Sequence, residues 1–200
     1  MPITNQRTVT IVAALLLVAA ITQSIYTALY LTMPELSRAP LWGIEGIVFT
    51  LMAAFAGSAL VQAKRWHLGW SAIAAAAVLN VVQVSVGLTM FGPFSEAAKA
   101  DPAFAPLIGA VVAFSFMMYN AAKVLLALAA IVFGFARMSA GGKALGGLTA
   151  VVGVVALGAN ALSLAAGRDV LGDLPLAGGS GVLATLLLAV SLFALPADDR

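Results

Sequence analysis

The chain has 200 residues, of which 62% are hydrophobic and 9% charged, and its net charge at neutral pH is +2. Soluble domains carry about a quarter charged residues, so this composition excludes an ordinary soluble domain and predicts an integral membrane protein whose first partner is the lipid bilayer. Nine of the ten basic residues lie scattered at segment ends, which argues against a nucleic-acid partner. With no cysteine and a single histidine, His67, we expect no metal site and no cofactor.

Six apolar runs follow one another along the chain, each bounded by proline, glycine or charge. They cover residues 8–33, 41–63, 68–92, 105–136, 144–166 and 179–195. About 20 helical residues cross the hydrocarbon core of a bilayer, and none of the runs shows the alternation of a barrel strand. The sequence therefore predicts an all-α bundle of six transmembrane helices, forming one domain over residues 1–200.

The prolines lie at the ends of these runs, where we expect them to stop helices rather than kink them. They are Pro34, Pro40, Pro93, Pro102 and Pro175. The fourth run is too long for an upright span, at roughly 48 Å if it is fully helical. We expect it either to begin outside the hydrocarbon near Pro102 and Pro106 or to tilt.

The basic residues predict how the chain is oriented, because short cytoplasmic loops are enriched in Lys and Arg. We number each loop by the apolar run that it follows. The two ends of the chain and the second and fourth loops carry six basic residues, at Arg7, Lys64, Arg65, Arg137, Lys143 and Arg200. The odd-numbered loops carry three, at Arg38, Lys99 and Arg168. Both termini are therefore predicted to be cytoplasmic, with the protein in the inner membrane if its source is bacterial.

Two segments of the chain are similar to each other. Asn80, Gln83 and Gly87 in the third run are spaced like Asn160, Ser163 and Gly167 in the fifth. This spacing indicates that spans two and three are repeated in parallel as spans four and five, as happens in some carriers. The alternative is chance similarity in a chain rich in Ala, Val and Gly.

The fifth run also carries small or polar residues at intervals of seven, at Gly146, Gly153, Asn160 and Gly167. A face of small residues lets two membrane helices approach closely. We favour packing within the chain's own bundle over the alternative, an interface in a homo-oligomer or a larger membrane complex.

Polar and ionisable side chains recur at a common depth in five of the apolar runs. Counting 1.5 Å per residue from the cytoplasmic flanks places them roughly 20 to 28 Å along the spans. The sequence thus predicts one polar layer in the outer half of the bundle, near several aromatic residues. Its predicted members are Gln23, Tyr26, Glu45, Asn80, Gln83, Asn120, Lys123 and Asn160.

Glu45 and Lys123 are the two clearly ionisable side chains inside the spans. Charges within a membrane commonly pair with each other. Because their estimated depths differ by only about 7 Å, we predict that they form an ion pair.

Three functions fit this pattern. The leading hypothesis is a membrane protein that binds or transports a small polar or amphipathic solute, or a lipid, through the polar layer. The alternative is a non-catalytic accessory subunit whose polar layer only holds the helices together. A membrane-embedded enzyme acting on a lipid ranks third, because the sequence shows no paired carboxylates and no nucleophile beside a base. We therefore predict no catalytic residue.

Overall fold

The computed structural model describes residues 4–33, 35–172 and 176–196, without the side chains of Arg168 and Asp169. In these ranges the chain forms helices and no strand. The α-helices are α1 (Asn5–Thr32), α2 (Ala39–Gln62), α3 (His67–Thr89), α4 (Phe91–Ala100), α5 (Ala105–Ser139), α6 (Lys143–Ala166) and α7 (Leu176–Phe193). Short 3-10 turns cover Pro102–Phe104 and Arg168–Leu171.

Six helical segments are long and apolar enough to cross a bilayer, with mean hydropathies between 1.8 and 2.1. They correspond to the six apolar runs of the sequence, with α4 continuing the third segment. The predicted all-α six-helix membrane bundle is confirmed.

Five helices form a closed ring in which α1, α2, α3, α5 and α7 contact each other in that order, while α6 packs outside the ring against α5 and α7. Apolar side chains from all five ring helices fill its interior. Fully buried examples are Leu16, Phe49, Met52, Ile73, Leu126 and Leu188. We call the end that carries residues 35–38 and α4 the distal end, and the end that carries residues 63–66 and 140–142 the proximal end.

At the distal end, α4 and the start of α5 extend beyond the ring. α5 has 35 residues, or about 52 Å at the usual helical rise. None of the residues of α4 is buried, and α5 buries none before Ser115. The break between α3 and α4 at Met90 follows from Pro93, which lacks the N–H that would bond the Thr89 carbonyl.

The prediction that prolines stop helices was wrong for Pro40, Pro93 and Pro102. Each lies in the first turn of the helical segment that follows it. An N–H has no partner inside the helix at that position, so proline is tolerated there. Pro34 and Pro175 lie outside the described residues.

The backbones of α5 and α6 touch at glycines. A Cβ added to Gly146 would lie 2.5 Å from the Gly134 carbonyl oxygen, and one added to Gly153 would lie 3.0 Å from the Ala127 carbonyl oxygen. The seam predicted from Gly146 and Gly153 therefore packs inside the bundle. Gly167 lies beyond the end of α6 with φ +94° and takes no part in this contact.

The two helix pairs α2–α3 and α5–α6 resemble each other in one detail. Asn80 and Asn160 are both fully buried, and each donates to the carbonyl four residues earlier. The surroundings differ, because α3 belongs to the ring and α6 lies outside it. The duplication stays a prediction.

Candidate functional site

A half-enclosed cavity of about 210 Å³ lies at the distal end of the ring. α1, α2, α5 and the α3–α4 segment supply most of its wall, and Gly178 of α7 completes it. Its polar lining consists of Gln23, Thr27, Glu45, Gln83 and Ser115. Its aromatic lining consists of Tyr26, Tyr30, Trp42, Phe91, Phe116 and Tyr119. Glu45 is the one formally charged side chain among these described residues.

The aromatic side chains form a continuous wall near the mouth of the cavity. The Tyr26 ring stacks on Tyr30 at 6.4 Å and lies 6.0 Å from Trp42, which meets Phe91 edge to face at 5.5 Å. The Arg38 guanidinium carbon lies 5.6 Å from the Tyr26 centroid and 5.3 Å from the Tyr30 centroid. The two tyrosine faces therefore already hold a cation at cation–π distance.

Glu45 faces the interior because of its position on α2. It shares the buried face of that helix with Phe49, Met52 and Ala56, at spacings of four, three and four residues. The Thr22 hydroxyl donates to Glu45 Oε1 at 3.0 Å. The other carboxylate oxygen has no hydrogen-bond partner among the described residues, and Glu45 lines the cavity. This oxygen is free to receive a hydrogen bond from a bound molecule.

Lys123 lies behind the cavity wall and is fully buried. Its Nζ donates to Gln23 Oε1 at 2.5 Å and to Thr185 Oγ1 at 3.3 Å, and lies 5.3 Å from the Tyr119 ring centroid. An ammonium has three N–H donors, and two oxygens and one ring face surround it here. The charge is thus held by neutral groups inside the ring.

The predicted ion pair between Glu45 and Lys123 was wrong, since neither residue forms a salt bridge within the described part of the chain. Thr22 binds the carboxylate and Gln23 binds the ammonium. Consecutive residues of a helix point about 100° apart, so α1 directs one side chain toward α2 and the next toward α5 and α7. A similar depth along the bundle did not imply contact across it.

The structure divides the predicted polar layer into two parts. Gln23, Tyr26, Glu45 and Gln83 line the cavity. The other four members, Asn80, Asn120, Lys123 and Asn160, are buried away from it. Gln23 belongs to both parts, because it lines the cavity and holds Lys123.

Of the buried asparagines, Asn160 links two helices, whereas Asn80 bonds its own helix. Asn80 donates to the Ala76 carbonyl at 3.0 Å, and Asn160 donates to the carbonyls of Ala156 at 2.8 Å and of Ala177 in α7 at 3.0 Å. In both residues the side-chain oxygen is buried with no hydrogen-bond partner within the described ranges.

Sequence reasoning missed the hydroxyl groups of the site. Thr22, Thr185 and Ser115 bind Glu45, Lys123 and Gln83 respectively. A Thr or Ser hydroxyl inside a helix can bond a carbonyl of the preceding turn, so these residues are unremarkable in an apolar run. Thr22 alone carried a signal in the sequence, because it directly precedes Gln23.

Comparisons of the chain with protein-family models, curated proteins and solved structures give no match.

Proposed function

We propose that this protein is a membrane transport or ligand-binding protein that takes a small polar or amphipathic solute into the distal cavity. The observation that carries the proposal is the free carboxylate oxygen of Glu45 in a half-enclosed cavity that also presents Gln83 and Ser115. Binding sites of this kind combine apolar walls with a few convergent polar groups.

The dimensions of the cavity limit the solute. A volume of about 210 Å³ exceeds that of an engineered cavity of about 150 Å³ that binds benzene. The aromatic wall suits an apolar body, and the inner polar groups suit a polar end. A small amphipathic molecule, or the head of a lipid, satisfies both requirements.

The accessory-subunit alternative draws support from the buried part of the layer. Lys123 and Asn160 are fully buried, and their hydrogen bonds connect α5 to α1 and α7, and α6 to α7. Such contacts hold a bundle together without any ligand. This alternative leaves the free oxygen of Glu45 without a role.

We further propose that both termini are cytoplasmic and that the distal cavity opens to the outside, in the inner membrane of a bacterium. Support comes from the basic residues, which favour the cytoplasmic side. At the proximal end lie Arg7, Lys64, Arg65, Arg137 and Lys143, whereas Arg38, Lys99 and Arg168 lie at the distal end. The predicted contribution of Arg200 falls outside the described residues.

Filling the cavity tests the proposed function. The purified protein in dodecyl maltoside is screened by thermal shift against small polar and amphipathic solutes. Solutes that raise its melting temperature are then tested on Ser115→Trp, which fills the cavity, and on Ser139→Trp, an exposed proximal position used as the matched control.

We expect stabilisation by at least one solute in the parent chain and in Ser139→Trp, and its loss in Ser115→Trp. Stabilisation that survives in Ser115→Trp, or no stabilising solute at all, would contradict a binding role and leave the accessory-subunit reading.

A further inference from the structure

The geometry points to a specific ligand class: we infer that the cavity binds an organic cation, an ammonium group carried on a small apolar body. This inference rests on the proposed function and names its ligand chemistry. The aromatic wall and the carboxylate of Glu45 are its two recognition elements.

The first argument is the charge of the cavity wall. Among the described residues that line the cavity, Glu45 is the one charged side chain, and the other polar groups are amides and hydroxyls. Lys123 does not line the cavity, because its ammonium points to Gln23 and Thr185 behind the wall. A bound molecule therefore contacts a carboxylate and no basic side chain among the described lining residues, and this contact favours a cation.

The second argument is the aromatic wall. Tyr26 and Trp42 line the cavity, and the faces of such rings attract cations within about 6 Å of the centroid. Arg38 already occupies this position over Tyr26 and Tyr30 on the rim. Two tyrosine rings of the cavity lining therefore already contact a positive charge in the fold itself.

The third argument separates an organic cation from a metal ion. Calcium requires six to eight oxygen ligands, and magnesium a near-ideal octahedron. The described lining of the cavity offers one carboxylate, and the Gln23 oxygen already binds Lys123. Within the described residues, no group of three or more His, Cys, Asp or Glu side chains could hold a metal ion. Aromatic faces with one carboxylate instead match an alkylated ammonium, whose charge is spread over an apolar surface.

The test compares choline with its uncharged carbon isostere, 3,3-dimethylbutan-1-ol, by isothermal titration calorimetry on the full chain in dodecyl maltoside. The two probes share shape and hydroxyl group and differ in charge. We expect choline to bind at least about tenfold more tightly, the ratio that corresponds to about 1.4 kcal/mol.

Three variants assign the effect to the two recognition elements. Glu45→Gln keeps the shape and can still accept from Thr22, yet it removes the charge, and we expect at least about tenfold weaker choline binding. Trp42→Leu should weaken choline binding by a similar factor, while Trp42→Phe, which keeps a ring face, should lose less. Matched controls are Glu96→Gln, an exposed acid of α4, and Phe135→Leu, an exposed aromatic of α5. Both should stay within about twofold of the parent.

The ammonium can come from a free solute or from a lipid headgroup, and a second arm distinguishes these sources. Dihexanoyl phosphatidylcholine is compared with dihexanoyl phosphatidylglycerol, which shares the phosphate and acyl chains but lacks the ammonium. Preference for the choline lipid with no binding of free choline assigns the headgroup as the ligand, and binding of free choline assigns a solute. Glu45→Gln should weaken the binding of free choline or of the choline lipid, whichever is observed.

The outcomes separate this inference from the proposed function. Equal binding of choline and its isostere, together with equal binding of the two lipids, overturns the cationic class. If the probes bind equally well and Ser115→Trp abolishes their binding, the cavity remains a binding site for another class of solute. No binding of any probe also overturns the inference, and the solute screen then decides the proposed function independently.

Discussion

Glu45 and Lys123 are bound by consecutive residues of α1 and not by each other. Thr22 donates to the carboxylate at 3.0 Å, and Gln23 accepts from the ammonium. Because one helix turn carries both contacts, any rotation of α1 would disturb the carboxylate in the cavity and the ammonium behind it together. Gln23 is the connection between the two parts of the polar layer.

This arrangement predicts that Gln23 and Lys123 are energetically coupled. Gln23→Leu removes one partner of a buried ammonium, and hydrogen bonds to charged groups contribute about 1.5 to 3 kcal/mol. The same change should cost much less once Lys123→Met has removed the charge. A double-mutant cycle on the free energy of unfolding in mixed micelles should give a coupling of about 0.5 to 3 kcal/mol.

Gln62 provides the control for this cycle, because it lies exposed near the proximal end of α2 and bonds Ser58. Gln62→Leu combined with Lys123→Met should be additive within about 0.5 kcal/mol. Additive losses for the Gln23 and Lys123 pair as well would refute the contact.

The contact between α5 and α6 predicts a strong effect of a single methyl group. A Cβ on Gly134 would lie 2.8 Å from both the Ala150 nitrogen and the Gly146 oxygen, which are backbone atoms that cannot move independently. Gly134→Ala should therefore force the helices apart and lower stability by about 1 to 3 kcal/mol.

The control is Gly158→Ala, also in a helix, where an added Cβ meets no atom within 4 Å. It should be neutral or stabilising by up to about 1 kcal/mol, because alanine favours the helix. Melting temperatures of the purified variants provide the comparison. If Gly134→Ala were as stable as the parent chain, the close approach would be wrong.

The aliphatic stem of Lys123 packs against Gly181. A Cβ at this position would be 2.9 Å from Lys123 Cδ and 3.2 Å from its Cγ. Gly181→Ala should therefore lower the melting temperature, whereas Gly179→Ala, with no atom within 4 Å, should not.

Removing the stem checks the cause. In a Lys123→Ala background the clash is gone, so Gly181→Ala should cost much less there than in the parent chain. An equal loss in both backgrounds would mean that Gly181 is required for some reason other than the Lys123 stem.

The helices of this fold could be read from hydropathy, because 20 apolar residues in lipid have few alternatives to a helix. Hydropathy did not predict the helix α4, which continues the α3 segment. Pro93 ends the apolar run, yet the helix resumes around it, because proline is acceptable in a first turn. Apolar content alone could not indicate a helix that continues beyond the ring.

The sequence could predict how far along the bundle the polar side chains lie, but not toward which neighbouring helix each one points. Counting residues places Glu45 and Lys123 near the same height, but their partners depend on how each helix is rotated about its axis. That rotation is set by packing contacts such as those of Gly134 and Gly146, which bring α5 and α6 together. For the same reason the sequence could not distinguish Gln83, which lines the cavity, from Asn80, which does not.

Whether the polar layer is open at the cavity and closed behind it is tested most directly at these two residues of α3, which lie three positions apart. The chain contains no cysteine, so Gln83→Cys and Asn80→Cys each introduce a single thiol. A small membrane-impermeant thiosulfonate reagent is added to intact cells, and the rate of thiol modification is measured by mass spectrometry. We predict rapid modification of Gln83→Cys and at least about tenfold slower modification of Asn80→Cys, because the first lines the open cavity and the second is fully buried. Equal rates, or modification of Gln83→Cys only from the cytoplasmic side, would contradict a polar layer that is open to the outside at the cavity and closed behind it.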